Sequence, residues 1–302
     1  MAELEPAGGA FYAKALQAMC RKEWNPLFEQ ITLGVSGDTN LIKSRLYNRP
    51  EGVLPISYAK DEGEDPVTYI SFEPSGDLHA LDSYLHVVAE YIIERYETRI
   101  LRRILEENYK ELSLLQKREI LKRVPCYLDD PEVGYGARKQ TVVLSLYDYF
   151  KEESLMHIDG FVTFRLKEYE ALLGMLAEKL AEDYLTMREY EEFIDLLKYF
   201  VNIQENRPEN VHICIEKTGG YRLLDHSGID ITAGSFADFV EGEVLLTEEV
   251  YDDLLISVLI TLAPKKIVVH NKKSIKNKEL FTTIERVFDG NVAYCAGCSF
   301  CR

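Results

Sequence analysis

The sequence predicts an α+β protein: mostly a helical bundle, preceded by a small mixed region and followed by an α/β domain that contains a βαβ unit. Three observations predict this. From about His79 to Gln204 apolar residues recur at three- and four-residue steps, the period of amphipathic helices. After Asn206-Arg207-Pro208 the period changes to 2, that of strands. Strand, helix and strand then follow within about 28 residues, Ile267–Tyr294, the size of a βαβ unit, whose crossover is nearly always right-handed. The expected divisions are residues 1–75, 76–206 and 207–302.

Residues 1–75 read as a helix from about Ala10 to Glu23, followed by β-like runs at Ile31–Val35, Val53–Tyr58 and Val67–Phe72. Turn-rich text such as Ser36-Gly37-Asp38 and the acidic Asp61–Asp65 separates them. In the bundle, Leu81, Leu85, Val88, Ile92, Tyr96 and Ile100 line one face of a long helix that continues past Ile104 and Leu105. Ser113 with Gln116 forms a capping box for a second helix, ending before Pro125. A loop, Asp129–Gly136, leads to a helix from about Arg138 to Lys151. Ser154 is expected to cap a helix whose inward residues run from Ile158 and Val162 to Leu176 and Leu180. Thr186 with Glu189 reads as another capping box opening a separate helix, with Phe193, Leu196, Leu197, Phe200 and Val201 inward. In the last hundred residues Val211–Ile215 and Tyr221–Leu224 form a hairpin around Gly219-Gly220. Thr247 caps a helix closed by Pro264, Ile267–His270 is a strand, Ser274–Phe288 a helix and Val292–Tyr294 a last strand.

Composition narrows the function classes. The 302 residues include 35 Lys+Arg against 51 Asp+Glu, a net charge of −16, which argues against a protein whose main work is to coat nucleic acid or an anionic membrane. With 46% hydrophobic and 28% charged residues the chain is of folded, globular type. Met1-Ala2-Glu3-Leu4-Glu5 lacks the basic and apolar regions of a signal peptide. The longest charge-free apolar stretch, Leu254–Pro264, has 11 residues, whereas a membrane span needs about 20. The expected location is therefore cytoplasmic, where the six cysteines (Cys20, Cys126, Cys214, Cys295, Cys298 and Cys301) stay reduced.

Three longer segments carry a family resemblance. Ile158-Asp159-Gly160-Phe161-Val162-Thr163-Phe164-Arg165-Leu166-Lys167-Glu168-Tyr169 resembles the sporulation protein YtxC family of endospore-forming bacteria. So do Glu189–Val201 (EYEEFIDLLKYFV) and Asp253–Pro264 (DLLISVLITLAP), and the similarity extends from about residue 80 to the end. The resemblance implies a cytoplasmic protein of a spore former with a part in sporulation. It brings no catalytic residues with it.

The chemistry therefore has to come from the residues, and the end of the chain is the richest part. Cys295-Ala-Gly-Cys298-Ser-Phe-Cys301 is a C-x2-C-x2-C run. Two-residue gaps let thiolates turn back on a single ion or cluster, and Gly297 permits the tight backbone this requires. Thiolates suit zinc or iron–sulfur, so both are candidates, with zinc preferred. The gaps are 2 and 2 rather than the 3 and 2 of radical SAM enzymes. If Ile267–His270 and Val292–Tyr294 are neighbouring parallel strands, His270 and Cys295 emerge at one carboxyl edge, where α/β sheets hold ligands. His270 is then the expected fourth ligand, with Cys214 or a second subunit as alternatives. Thiol redox chemistry and a tail without function are the other readings of the same cysteines.

Lys265–Lys278 contains six lysines (Lys265, Lys266, Lys272, Lys273, Lys276 and Lys278) and no acid, so the remainder of the chain carries −22. Such asymmetry can mark contact with an anion, a nucleotide or RNA, or an acidic protein partner. A solvated loop balanced against the acidic bundle is the plainer account and the preferred one. Gly134-Tyr-Gly136-Ala-Arg138-Lys139 matches no P-loop and reads as a connection; Asp225-His226-Ser227-Gly228 reads as a turn rather than a hydrolase triad. Arg165 is expected in a buried ion pair between helices, and His86 and His157 as ordinary helix residues. No HExxH, GxGxxG, Walker A or G-x-S-x-G occurs. These observations favour a non-enzymatic interaction protein with a C-terminal metal site, against an iron–sulfur enzyme or redox sensor using the same cysteines, or a nucleotide- or RNA-contacting protein using the lysines.

Overall fold

The computed structural model describes residues 30–47, 56–61, 66–73, 78–216, 220–237 and 248–301. The expected helix at Ala10–Glu23 and the cap at Thr247 lie outside them. The fold is α+β: helices and two four-stranded mixed sheets among the described residues. The chain divides into two compact units, residues 1–184 and 185–302.

In the first unit the strands β1 (Ile31–Ser36), β2 (Ile56–Lys60) and β3 (Val67–Phe72) and the short β4 (Leu155–His157) form a sheet in the order β2-β3-β1-β4. β3 pairs antiparallel with β1 and β2, and β4 pairs parallel with β1. Ser154 is thus not a helix cap: its carbonyl accepts the Thr32 N–H at 2.8 Å, and the next three residues add a strand. His157 is correspondingly a strand residue rather than a helical one, and its ring lies over Gly34, where a Cβ would come within 2.6 Å of Nδ1. Helix α1 (Asn40–Tyr47) follows β1. The long α2 (Leu78–Asn108) turns Leu81, Leu85, Val88, Ile92 and Tyr96 into the core, as its period requires. Helix α3 (Leu114–Leu121) starts at a full capping box: Ser113 Oγ accepts the Gln116 N–H and Gln116 Oε1 accepts the Ser113 N–H.

Helix α4 (Tyr135–Phe150) begins at Gly134, which passes the Asp130 backbone so closely that any Cβ would collide with it. One turn later Arg138 is fully buried. Its Nε donates to Glu97 Oε2 at 2.9 Å, its Nη1 to the Val133 carbonyl and its Nη2 to Glu97 Oε1, while the Tyr169 hydroxyl donates to Glu97 Oε2 at 2.8 Å. The buried ion pair between helices therefore uses Arg138. Arg165, for which that role was expected, is exposed and lies over the Tyr149 ring, because it falls at the break between α5 (Ile158–Phe164) and α6 (Lys167–Ile203) rather than inside a helical face.

Helix α6 runs unbroken through Thr186, so the second capping box does not start a new helix. No Gly or Pro interrupts Lys179–Ile203, and extending a helix costs far less than nucleating another. Of the five residues expected inward, Leu197 and Val201 are buried together with Ile194, while Phe193, Leu196 and Phe200 are 41–50% exposed. The sheet side takes only one stripe at spacings of three and four.

In the second unit β5 (Asn210–Ile215), β6 (Tyr221–Leu224), β7 (Lys266–His270) and β8 (Val292–Tyr294) are ordered β6-β5-β7-β8. β5, β7 and β8 are parallel; β6 is antiparallel to β5. Between β6 and β7 lie α7 (Thr232–Ala237) and α8 (Glu248–Leu262); α9 (Lys278–Val287) links β7 to β8 and completes the βαβ unit. It starts four residues later than expected, at the Asn277 cap, because Lys272–Ser274 forms a separate 3-10 turn. One sheet face, with Val211, Ile213, Ile267 and Val269, packs on Leu255, Val258 and Leu259 of α8 and Leu280, Phe281 and Ile284 of α9. The alternation of strands sends His212, Cys214 and His270 to the other face. Among the described residues no helix is long and apolar enough to cross a membrane.

Candidate metal centre

The parallel sheet fixes two parts of the site before any long-range packing is considered. β7 ends at His270, and Cys295 leaves β8 directly beside it, its N–H donating to the Val269 carbonyl at 2.9 Å. Asn271 then turns the chain away in the left-handed region (φ 60°, ψ 43°), a conformation asparagine tolerates, and its Nδ2 donates to the Ile215 carbonyl. Gly297, at φ 137°, reverses the tail so that a last 3-10 turn, Ser299–Cys301, folds back over the sheet.

This brings His270, Cys295, Cys298 and Cys301 together, with one ligand atom from each lying within 4.8 Å of all the others. His270 Nδ1 is 3.3 Å from Cys298 Sγ and 3.4 Å from Cys301 Sγ. Cys301 Sγ is 3.9 Å from Cys298 Sγ and 3.8 Å from Cys295 Sγ. A disulfide would need about 2.05 Å, so these are thiols gathered around a common point. The group can hold a metal ion.

Backbone amides face two of the sulfurs. The Gly297 N–H donates to Cys295 Sγ and the Phe300 N–H to Cys298 Sγ, both at 3.3 Å. Hydrogen bonding with the Cys298 backbone, and further with that of Asn271, holds the Cys301 thiol below its ordinary value. At Cys295 the Gly297 amide also lowers the value, but desolvation and the two neighbouring thiols outweigh it and the net shift is upward. Burial, aided by His212, pulls His270 below the usual histidine range, which favours the neutral ring that metals bind. Cys214 is buried on the same face with its thiol pushed up by desolvation, but it is not part of the gathered group.

Sequence reasoning missed two residues here. His212 Nδ1 lies 3.0 Å from His270 Nε2, and the Phe300 ring packs edge-on against both histidines at 5.3 and 5.7 Å between centroids. The signal for His212 was present: both histidines occupy the non-core parity of neighbouring strands. Phe300 carried no such signal, since its contacts depend on how the tail reverses.

The six lysines sit at several places along the unit. Lys265 pairs with Glu209, and Lys265 and Lys266 stand at the start of β7, about 13 Å of strand from His270. Lys272 and Lys273 follow His270 directly and are exposed, Lys272 Nζ sitting 4.1 Å over the Tyr294 ring. Lys276 and Lys278 are exposed on the approach to α9. Asp225-His226-Ser227-Gly228 is a turn in which Asp225 Oδ1 accepts the Ser227 and Ile229 N–H groups rather than a proton from His226.

The YtxC-like family model matches residues 83–293. The uncharacterised protein YtxC of Bacillus subtilis strain 168 is 23% identical over 213 residues, covering 68% of this chain and 74% of that protein. No solved structure matches. With the match covering well over half its length, the chain belongs to the YtxC-like family.

Proposed function

We propose that the C-terminal unit carries a mononuclear zinc site formed by Cys295, Cys298, Cys301 and His270, and that the protein is a non-enzymatic interaction protein of the cytoplasm acting in sporulation. One observation carries the metal reading. Around a tetrahedral ion with metal–sulfur bonds of about 2.3 Å and a metal–nitrogen bond of about 2.0–2.1 Å, the sulfurs stand about 3.8 Å apart and the nitrogen about 3.6 Å from each sulfur. Two of the three sulfur pairs are 3.8 and 3.9 Å apart and two of the three nitrogen–sulfur pairs 3.3 and 3.4 Å, with every ligand atom within 4.8 Å of the others. In a [4Fe–4S] cluster each thiolate binds its own iron, which spreads the sulfurs farther. Cys3His is an ordinary closed zinc set, with a structural role.

The ion would hold the tail against the sheet and leave Lys272, Lys273 and Lys276 at the same edge for an acidic protein partner. The place in sporulation rests on the family resemblance, and the cytoplasm on the reduced thiols this site needs. Zinc, iron and acid-labile sulfide in anaerobically purified full-length protein and in Cys298→Ser test the reading. Near one zinc per chain, lost in the variant, is expected. Iron with matching sulfide would overturn zinc, and a chain without metal would overturn the site.

A further inference from the structure

The four-residue site leaves one strong contact of His270 unused. We infer that His212 is a positioning residue for the metal centre: its Nδ1 accepts the Nε2–H of His270 and so holds that ring with Nδ1 toward the three sulfurs. The inference rests on the metal site proposed above and goes beyond it.

The direction of the hydrogen bond follows from the geometry. His270 faces Cys298 and Cys301 through Nδ1, so Nδ1 must offer its lone pair to the ion. A neutral imidazole has one N–H, and it is then on Nε2. His270 Nε2 lies 3.0 Å from His212 Nδ1, which therefore accepts. Metal-bound histidines nearly always donate their second ring N–H to such a partner, which fixes the tautomer and raises ligand basicity. The partner is usually a carboxylate, a carbonyl or water; here it is a second imidazole.

The fold holds that imidazole in place. His212 pairs in register with Val268 of β7 and Cys214 with His270, so the two histidines are diagonal neighbours on one sheet face. Diagonal pairs are within reach of ring side chains. The Phe300 ring closes over both, and Gly228 backs the Phe300 ring, where a Cβ would come within 2.9 Å. The tail that supplies two thiols thus also presses the second histidine against the first.

The test compares His212→Asn with His212→Leu in the full-length chain. The two side chains have nearly the same size and lose the same ring packing, but Asn keeps an oxygen acceptor where Nδ1 stood. Zinc affinity is measured by competition with a chromophoric chelator, alongside far-UV circular dichroism and the absorption of the cobalt(II)-loaded proteins. His212→Leu is expected to bind zinc about 10- to 100-fold more weakly, with His212→Asn clearly tighter than His212→Leu. Both should keep the three-thiolate cobalt spectrum, which His270→Ala alters. Equal affinities in the two variants, whether matching the unsubstituted chain or equally weakened, would overturn the hydrogen-bonding role and leave the metal site standing. If His212→Leu does not fold, a His212→Asn affinity reduced at least 10-fold would equally overturn it. An unsubstituted chain that takes up no zinc overturns the site itself and this inference with it.

Discussion

Gly228 and Phe300 are fitted so closely that a Cβ added at Gly228 would lie 2.9 Å from the Phe300 ring. Gly228 sits at φ 81° in the turn after β6, where an L side chain is strained whatever space is available. The contact ties the turn Asp225–Gly228 to the cysteine tail. Gly228→Ala should therefore weaken zinc binding by displacing Phe300, beyond the backbone cost of about 1–2 kcal/mol. Adding Phe300→Ala should remove the steric part of the effect. Zinc titration of the single and double variants reads this coupling, and a Gly228→Ala protein with unchanged affinity would show that the tail is not held there.

The Glu97–Arg138 pair is the main polar commitment of the first unit. Removing one member leaves a charge buried with poor compensation, which costs about 3–5 kcal/mol. Arg138→Met should lower the urea midpoint accordingly, and Tyr169→Phe, which leaves the pair intact, should lower it much less. Similar midpoints for Arg138→Met and the unsubstituted protein would contradict the structural role given to Arg138.

Tyrosines with raised values, Tyr127 and Tyr294 among them, make stability sensitive to alkali. A hydrogen bond to Asp183, with burial, pushes Tyr127 up to about 12, and burial, with a hydrogen bond to Glu285, pushes Tyr294 up to about 12. Their unfolded value is about 10. A raised folded value means the contribution is fully present below about pH 10 and is lost as pH rises through 12. Tyrosinate absorbance should show a late-titrating class that shrinks in Tyr127→Phe and Tyr294→Phe, and unchanged titration curves would contradict these environments.

Metal removal should change thiol reactivity in a defined way. In the loaded protein Cys295, Cys298 and Cys301 are ligands and react slowly, whereas Cys126 is exposed and reacts at once. A strong chelator should make three further thiols per chain reactive. No change on chelation, with Cys298 reacting rapidly from the start, would contradict ligation.

Much of this architecture was legible because it depends on local rules. The apolar period of Leu81–Leu105, the Ser113–Gln116 box and the strand runs in the last hundred residues each point to one structure. The errors arose where a local signal met a larger context. Thr186–Glu189 has the residues of a cap, but helix propagation through Leu185–Arg188 overrides it. Leu155–His157 reads as the first turn of a helix capped by Ser154 and becomes a strand because β1 offers a free edge. Arg165 borders apolar residues, yet the helix break turns it to solvent, and Arg138 takes the buried position instead. At the candidate site, spacing identified the cysteines and sheet topology identified His270. His212 shares the face of His270 by strand parity, a signal the sequence holds, whereas the place of Phe300 depends on how the tail folds back over the sheet.

Zinc-edge X-ray absorption on the purified full-length protein tests the central claim most directly. The account predicts one nitrogen at about 2.0–2.1 Å and three sulfurs at about 2.3 Å from a single zinc. A shell of nitrogen and oxygen only, or iron with short iron–iron scattering in place of zinc, would contradict it.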